Sequence, residues 1–114
     1  MAPRWEEKRR FPRTKLTSTL RYQLRGSSEY NSAASENVSE GGMAFINNRF
    51  IPSQTSLMLE INVLSKVLTP IGKISWSSYI PHTDRYRMGV EFLEMDPKDK
   101  EYLSDFIDMQ LETV

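Results

Sequence analysis

Two stretches of alternating apolar and polar side chains constrain the fold of this chain most strongly. In residues 16–24, mostly apolar side chains occupy every second position, and polar or charged side chains fill the positions between them. Residues 57–63 repeat the same period of two. Such alternation places one face of a strand against a core and the other face in water. Both stretches are therefore predicted to be strands.

Four more short strands are predicted between segments that are rich in turn-forming residues. They cover residues 30–37, 43–47, 67–76 and 86–93. Pro70 cannot donate a hydrogen bond to a neighbouring strand, so it indicates an edge or a bulge near the middle of the third of these. Six short strands in series, with no helical segment between them, predict an all-β fold, either an antiparallel barrel or a sandwich.

The period changes from two to that of a helix near the C-terminus. Asp96 is placed to cap a helix and Pro97 to occupy its first position. The apolar stripe that follows at helical spacing consists of Leu103, Phe106, Ile107 and Leu111. A helix over about 96–112 is therefore predicted, with this stripe packed on the barrel.

The composition excludes several classes of protein. None of the 114 residues is cysteine, which rules out disulfides, thiolate metal sites and cysteine nucleophiles. No apolar run has the length of a membrane span or the form of a signal peptide, so we expect a cytoplasmic protein without membrane insertion. No nucleophile–base pair, carboxylate dyad or metal-binding cluster is apparent. Neither enzymatic activity nor a metal cofactor is predicted.

The charges are balanced overall but unevenly distributed. Lys and Arg number 15, as do Asp and Glu, so a general affinity for DNA or RNA is not predicted. The cationic residues of the N-terminal segment are Arg4, Lys8, Arg9, Arg10, Arg13 and Lys15. This clustering indicates one localised basic patch. We expect residues 1–13 to form a flexible arm and residues 14–114 to form a single domain.

Two short motifs combine the residue types that suit an anionic purine ligand. Residues 9–13 carry three arginines, whose planar forks match guanine edges and phosphates. Residues 37–42 form an Asn-x-Ser-x-x-Gly turn, in which glycine permits close approach of a ligand. Taken alone, the first motif is typical of a solvated basic tail and the second of an ordinary tight turn.

Together, in this order, the motifs resemble those of the PilZ domain family of bacterial cyclic di-GMP receptors. Arg9 and Arg13 match the family's Arg-x-x-x-Arg, and residues 37–42 match its Asp/Asn-x-Ser-x-x-Gly. Residues 72–76 and 88–92 are similar to its two following strand motifs. The resemblance covers nearly the whole chain. It implies a six-stranded antiparallel PilZ-type β-barrel with a C-terminal α-helix.

The resemblance also implies a ligand and a set of contacts. Cyclic di-GMP would bind the outer surface of the barrel, clamped by the arm. The residues that would contact it are Arg9, Arg10, Arg13, Asn37, Ser39 and Gly42, with further contacts from Lys8, Gly41 and Trp76. Asn37 stands where aspartate is the alternative, so it lacks a charged acceptor for the guanine N–H groups. For Trp76, a position in the core and a position in the ligand wall are both left open.

Stoichiometry and output are further expectations. A cationic Lys8 before the arginine motif goes, in the family, with an intercalated pair of ligands, so two molecules per protomer are expected. A monomer is expected to relay the bound state to a separate downstream protein. The alternative function is a PilZ-type protein–protein adaptor that does not depend on nucleotide. A single-stranded nucleic-acid binder would need exposed aromatic side chains on a basic face, and the alternation assigns most large side chains to the core.

Overall fold

The computed structural model of the chain describes residues 12–112. Within that range, eight strands are followed by one helix. The strands are β1 (Thr14–Lys15), β2 (Thr19–Leu24), β3 (Asn31–Val38), β4 (Gly42–Asn47), β5 (Ser56–Val63), β6 (Lys66–Leu68), β7 (Ile71–Tyr79) and β8 (Tyr86–Glu94), and the helix is α1 (Pro97–Glu112). Each of the six predicted strand segments overlaps at least one of these strands.

Six of the strands close into an antiparallel barrel. Around the barrel the order is β2, β3, β4, β8, β7 and β5, and β5 pairs again with β2. The two short strands extend this frame, since β1 pairs with the end of β3 and β6 pairs with the end of β5. The predicted six-stranded barrel with a C-terminal helix is confirmed.

The barrel interior is filled by the apolar members of the alternating stretches. The inward residues of β2 and β5 are almost fully buried except for Leu24, which is partly buried, and the ring of Tyr22 lies 5.9 Å from that of Phe45 across the core. The buried cluster includes Leu16, Leu20, Tyr22, Val38, Met43, Phe45, Leu57, Leu59, Ile61, Val63, Ile74, Met88 and Val90. The period of two therefore predicted correctly which face of each strand is buried.

The predicted strand over residues 67–76 is interrupted at Pro70, as its missing N–H requires. The chain pairs with β5 on both sides of the proline, first as β6 and then as β7. Between them, the Leu59 N–H donates a hydrogen bond of 3.0 Å to the Pro70 carbonyl oxygen. The proline thus breaks the ladder without changing the register. The predicted strand over residues 16–24 is shorter in the structure, since β2 begins at Thr19 and β1 ends at Lys15, before the predicted segment.

The helix begins as predicted, because the Asp96 carboxylate accepts a 2.8 Å hydrogen bond from the Lys98 N–H. Its buried stripe, Leu103, Phe106 and Ile107, joins the core. The prediction was wrong for Leu111, which lies one turn beyond the buried stripe and is exposed. No helix in residues 12–112 is both long and apolar enough to cross a membrane.

The first turn of α1 is tied to the β5–β6 hairpin by polar contacts. Asp99 is buried and forms a 3.2 Å ion pair with Lys66. The Tyr102 hydroxyl donates a 3.1 Å hydrogen bond to the Val63 carbonyl oxygen. These contacts fix the helix against one end of the barrel and leave the outer faces of β3, β4 and β8 to the candidate site.

Candidate ligand-binding site

A β-bulge in β3 directs Asn37 toward the outer surface of the barrel. Ser35 pairs with the core residue Phe45, whereas Asn37 pairs with Ala44, so Glu36 is an extra residue in the ladder. Without the bulge, Asn37 would share the inward face of Ala33 and Ser35. Bulges commonly re-aim side chains in this way. Here the bulge places a half-buried amide at the surface beside the N-terminal segment.

Arg13 forms a direct hydrogen bond with the side-chain amide of Asn37. Its Nη1 donates a hydrogen bond of 2.8 Å to Asn37 Oδ1, and both side chains are on the surface. The β1–β3 pairing brings the two together, since it sets Lys15 opposite Asn37. The two predicted motifs, 24 residues apart in the chain, are therefore adjacent in space.

The turn after β3 is held by Ser39 itself. The Ser39 N–H donates to the Gly42 carbonyl oxygen at 2.8 Å, and the hydroxyl donates to the same oxygen at 3.2 Å. The hydroxyl also accepts a 3.2 Å hydrogen bond from the Gly41 N–H. Ser39 is only 5% exposed. Its hydroxyl thus has an internal role in the turn in addition to the ligand contact predicted for it.

Gly42 occupies a position where no side chain fits. A Cβ atom there would collide with the Val90 carbonyl oxygen of the adjacent strand β8. The glycine of the second motif is therefore required by the close approach of two backbones, and not by a left-handed backbone conformation.

One transverse row of residues crosses the outer face from this turn to Trp76. The cross-strand pairs are Asn37 with Ala44, Ala44 with Gly89, and Gly89 with Trp76. Adjacent strands lie about 4.8 Å apart, so the row spans about 14 Å. Its two central residues are small, and its ends carry an amide and an indole. Both central residues are buried, so the accessible groups of the row are those at its two ends.

Trp76 lies on this outer face and not in the core. A second bulge makes the difference: Ile74 pairs with the core residue Val90, whereas Trp76 pairs with Gly89, so Ser75 is the extra residue. A Cβ atom on Gly89 would collide with the indole, so the ring lies against the bare glycine backbone. Trp76 remains 40% exposed. An aromatic face is therefore presented at the end of the row opposite Asn37.

Two cationic residues, Arg13 and Lys15, adjoin the Asn37 end of the row. Glu36, the nearest carboxylate in sequence, is paired with Arg87, whose Nε lies 2.9 and 3.0 Å from its two oxygens. Arg13 and Lys15 carry no ion pair to a described residue. Within residues 12–112, no cluster of His, Asp and Glu could hold a metal ion. An anionic ligand would therefore find positive charge at the Asn37 end.

The structure thus brings together Arg13, Asn37, Ser39, Gly41 and Gly42, with Trp76 at the far end of the row. Lys8, Arg9 and Arg10 lie outside the described residues. Sequence reasoning missed the contributions of Lys15 and Gly89. The alternation in residues 15–24 does place Lys15 on the outward face, but only the strand pairing shows that it is opposite Asn37.

We expect Ser39→Ala to affect both stability and binding, because one hydroxyl group makes two turn contacts. Each lost hydrogen bond is worth on the order of 1 kcal/mol. Thermal unfolding measures the first effect, and calorimetric titration with cyclic di-GMP measures the second. Ser32→Ala, at an exposed serine within β3, is the matched control. A Ser39→Ala protein with unchanged melting temperature would contradict the structural role of the hydroxyl.

Comparison with known proteins agrees with this architecture. The inhibitor of motility MotI/DgrA of Bacillus subtilis has a TM-score of 0.77 at 22% identity, covering 91% of this chain and 52% of its own. The PilZ domain of Escherichia coli YcgR, solved with cyclic di-GMP, has a TM-score of 0.72 at 16% identity, covering 93% of both chains. MrkH of K. pneumonia, in its cyclic di-GMP complex, has a TM-score of 0.72 at 18% identity, covering 92% of this chain and 53% of its own.

These identities show a shared fold, and the chain spans only about half the length of MotI and MrkH. A comparison with curated proteins gives no match. The family comparison is decisive, because the model of the PilZ domain matches residues 7–109, which is most of the chain and includes both short motifs. With the closed barrel, its terminal helix and the Arg13–Asn37 contact, this match shows that the chain belongs to the PilZ domain family.

Proposed function

We propose that this chain is a receptor for cyclic di-GMP that binds its ligand on the outer face of β3, β4 and β8. The observation that carries this proposal is the contact between Arg13 and Asn37, which joins the two motifs at one end of the row that leads to Trp76. The ligand has two guanines and two phosphates. The row and the adjoining Arg13 offer hydrogen-bonding groups for guanine edges and phosphates, and Trp76 offers an aromatic ring for a guanine face.

The contacts follow from the chemistry of these groups. Arg9 and Arg13 donate to guanine O6 and N7 or to phosphate oxygens, as bidentate forks do. Asn37 hydrogen-bonds a guanine edge, and the Ser39 turn brings backbone close to the ligand. Arg10 stacks on an exposed base. Trp76 offers an indole face to a guanine at the other end of the row. The chain binds the ligand and cleaves no bond in it.

The relatives support this ligand. The PilZ domain of YcgR and the MrkH protein have both been solved with cyclic di-GMP. In this chain Arg9, Arg13, Asn37, Ser39 and Gly42 are all present. That retention disfavours the adaptor function that would not depend on nucleotide. The bound state is relayed to a separate protein, and the N-terminal arm is the element that changes.

Ordering of the arm is tested by hydrogen exchange. On this proposal, the amides of residues 6–13 exchange rapidly in the free protein and become protected when cyclic di-GMP is added, because the ligand phosphates offset the mutual repulsion of the arginines. Amides of the barrel core, such as that of Ile61, are the internal reference. Amides of residues 6–13 that are protected equally without ligand would contradict the arm as the responding element.

Calorimetric titration with cyclic di-GMP tests the function itself and its stoichiometry. We expect two ligands per protomer, because Lys8 and Arg10 add the positive charge that a stacked pair with four phosphate charges requires. Raising the salt concentration should weaken binding by screening these contacts. A stoichiometry near one would contradict the ligand pair and leave the receptor function intact. Absence of any binding would overturn the function.

A further inference from the structure

An aromatic cluster covers the barrel end at which β4 and β7 finish and β8 starts. The ring of Tyr86 lies 5.8 Å from that of Phe50 and 5.6 Å from that of Tyr79, both in edge-to-face contact. Phe50 is 57% exposed and Tyr79 is 54% exposed. Such side chains contribute little to the core of this protein. Aromatic side chains clustered on a surface are enriched in protein–protein contacts.

The loop between β7 and β8 holds this cluster in place. The Ile80 N–H donates to the Arg85 carbonyl oxygen at 3.0 Å, and the Thr83 hydroxyl donates to the Ile80 carbonyl oxygen at 2.8 Å. The Tyr79 hydroxyl donates to the Thr83 carbonyl oxygen. The ring of Tyr79 is therefore fixed by its own loop. A surface arranged in advance loses less conformational entropy on binding.

Two exposed arginines adjoin the rings of the cluster along the chain. Arg49 precedes Phe50, and Arg85 precedes Tyr86. Both arginines are exposed, and neither forms an ion pair with a described residue. The loop contributes one carboxylate, Asp84. Two guanidinium groups that lack an ion pair, near exposed rings, are complementary to a peptide segment in which acidic side chains flank an apolar side chain.

The cluster is also close to the candidate ligand site. Tyr79 follows Trp76 by three residues on β7, and Tyr86 precedes Gly89 by three residues on β8. Three residues of strand span about 10 Å. Tyr86 lies two residues from the core residue Met88, so it and its pair Tyr79 belong to the inward side of the strands, whereas Trp76 and Gly89 belong to the outer side. A partner that binds the cluster would therefore sit at the barrel end, about 10 Å along the strands from the row.

We propose that the surface formed by Phe50, Tyr79 and Tyr86, with Arg49 and Arg85 at its rim, binds an acidic segment of a partner protein that presents an apolar side chain to the rings. This proposal rests on the receptor function, since the partner is the protein that reads the bound state. Single-stranded nucleic acid also stacks on aromatic rings, but it needs a continuous track of cations for its phosphates. Two arginines beside Asp84 do not supply such a track, and the formal net charge of the chain is zero.

Selection from a random peptide library displayed on phage tests the proposal. The full chain saturated with cyclic di-GMP is the bait. The test variant is Phe50→Ser/Arg85→Glu, and the control is Met109→Ser/Lys100→Glu, which makes similar changes at exposed positions of α1. We expect enriched peptides to carry Asp or Glu beside an apolar residue. Their affinity should fall at least tenfold in the test variant and stay within twofold in the control.

The outcomes separate the surface from the ligand site. Both variants should bind cyclic di-GMP as the original chain does, since neither changes the row. Enriched peptides that are basic, or that bind the test variant unchanged, would overturn the proposal, as would a selection that enriches nothing. If the original chain binds a single-stranded oligonucleotide more tightly than it binds the selected peptides, and the test variant loses that binding, the surface would be assigned to nucleic acid instead. Loss of cyclic di-GMP binding in the original chain would point to failure of the receptor function.

Discussion

Replacing both Arg9 and Arg13 by alanine should abolish measurable binding of cyclic di-GMP at micromolar protein concentration. Each bidentate contact to a base or phosphate is worth about 1–3 kcal/mol, or roughly 5- to 140-fold in the dissociation constant. Arg13 is in hydrogen-bond contact with Asn37, so its loss also frees the amide that it orients. The single variants should each show an intermediate loss in calorimetric titration.

The control for this prediction is Arg25→Ala, which removes one exposed arginine from the loop between β2 and β3, away from the row. It should leave affinity unchanged. If Arg25→Ala weakens binding as much as Arg13→Ala does, the arginines act only through net charge. If the double variant binds normally, the ligand site does not involve the arm.

The second large effect is expected on stability. Gly42→Ala forces a Cβ atom against the Val90 carbonyl oxygen, which is backbone and cannot move without separating β4 from β8. Overpacking of this kind lowers the free energy of unfolding by about 1–3 kcal/mol. For a domain of this size, each kcal/mol lowers the melting temperature by about 4–8 °C. Differential scanning calorimetry of the ligand-free protein measures the shift.

Gly26→Asn provides the matched comparison for this substitution. Gly26 has a φ of 87°, and a Cβ atom there would meet nothing within 4 Å. Asparagine adopts a left-handed backbone more readily than other side chains do. The melting temperature of Gly26→Asn should therefore stay close to that of the original chain. A Gly42→Ala protein that is equally stable would show that β4 and β8 are not as close as described.

The sequence predicted the fold well because alternation reports burial directly. The inward faces of β2 and β5 are those expected from residues 16–24 and 57–63, and Asp96 begins the helix. The motifs also identified Arg13, Asn37 and Gly42, which the structure brings to one turn. Leu111 was misjudged, because helical spacing shows a shared face but not where the barrel beneath it ends.

The outward positions of Asn37 and Trp76 depend on two β-bulges that no sequence pattern predicted. At Glu36 and at Ser75, one extra residue reverses the inward and outward faces for the rest of the strand. Counting by twos from Ile74 places Trp76 in the core, and counting from Ala33 places Asn37 there. Both side chains lie outside because of these bulges. A bulge depends on pairing between distant strands, so a single sequence could not reveal it.

Closure of the barrel restricts how a partner can recognise this protein. Each of the six barrel strands has a hydrogen-bonded neighbour on both sides, because β3 pairs with β4 and β5 pairs with β2. A partner therefore cannot add a strand beside Asn37, Ala44 or Gly89 of the ligand row, as happens with proteins that have open sheet edges, because each of these residues is paired on both sides. Recognition there must come from side chains. Point substitutions on the outer face should therefore be enough to change which proteins bind, without disturbing the frame beneath.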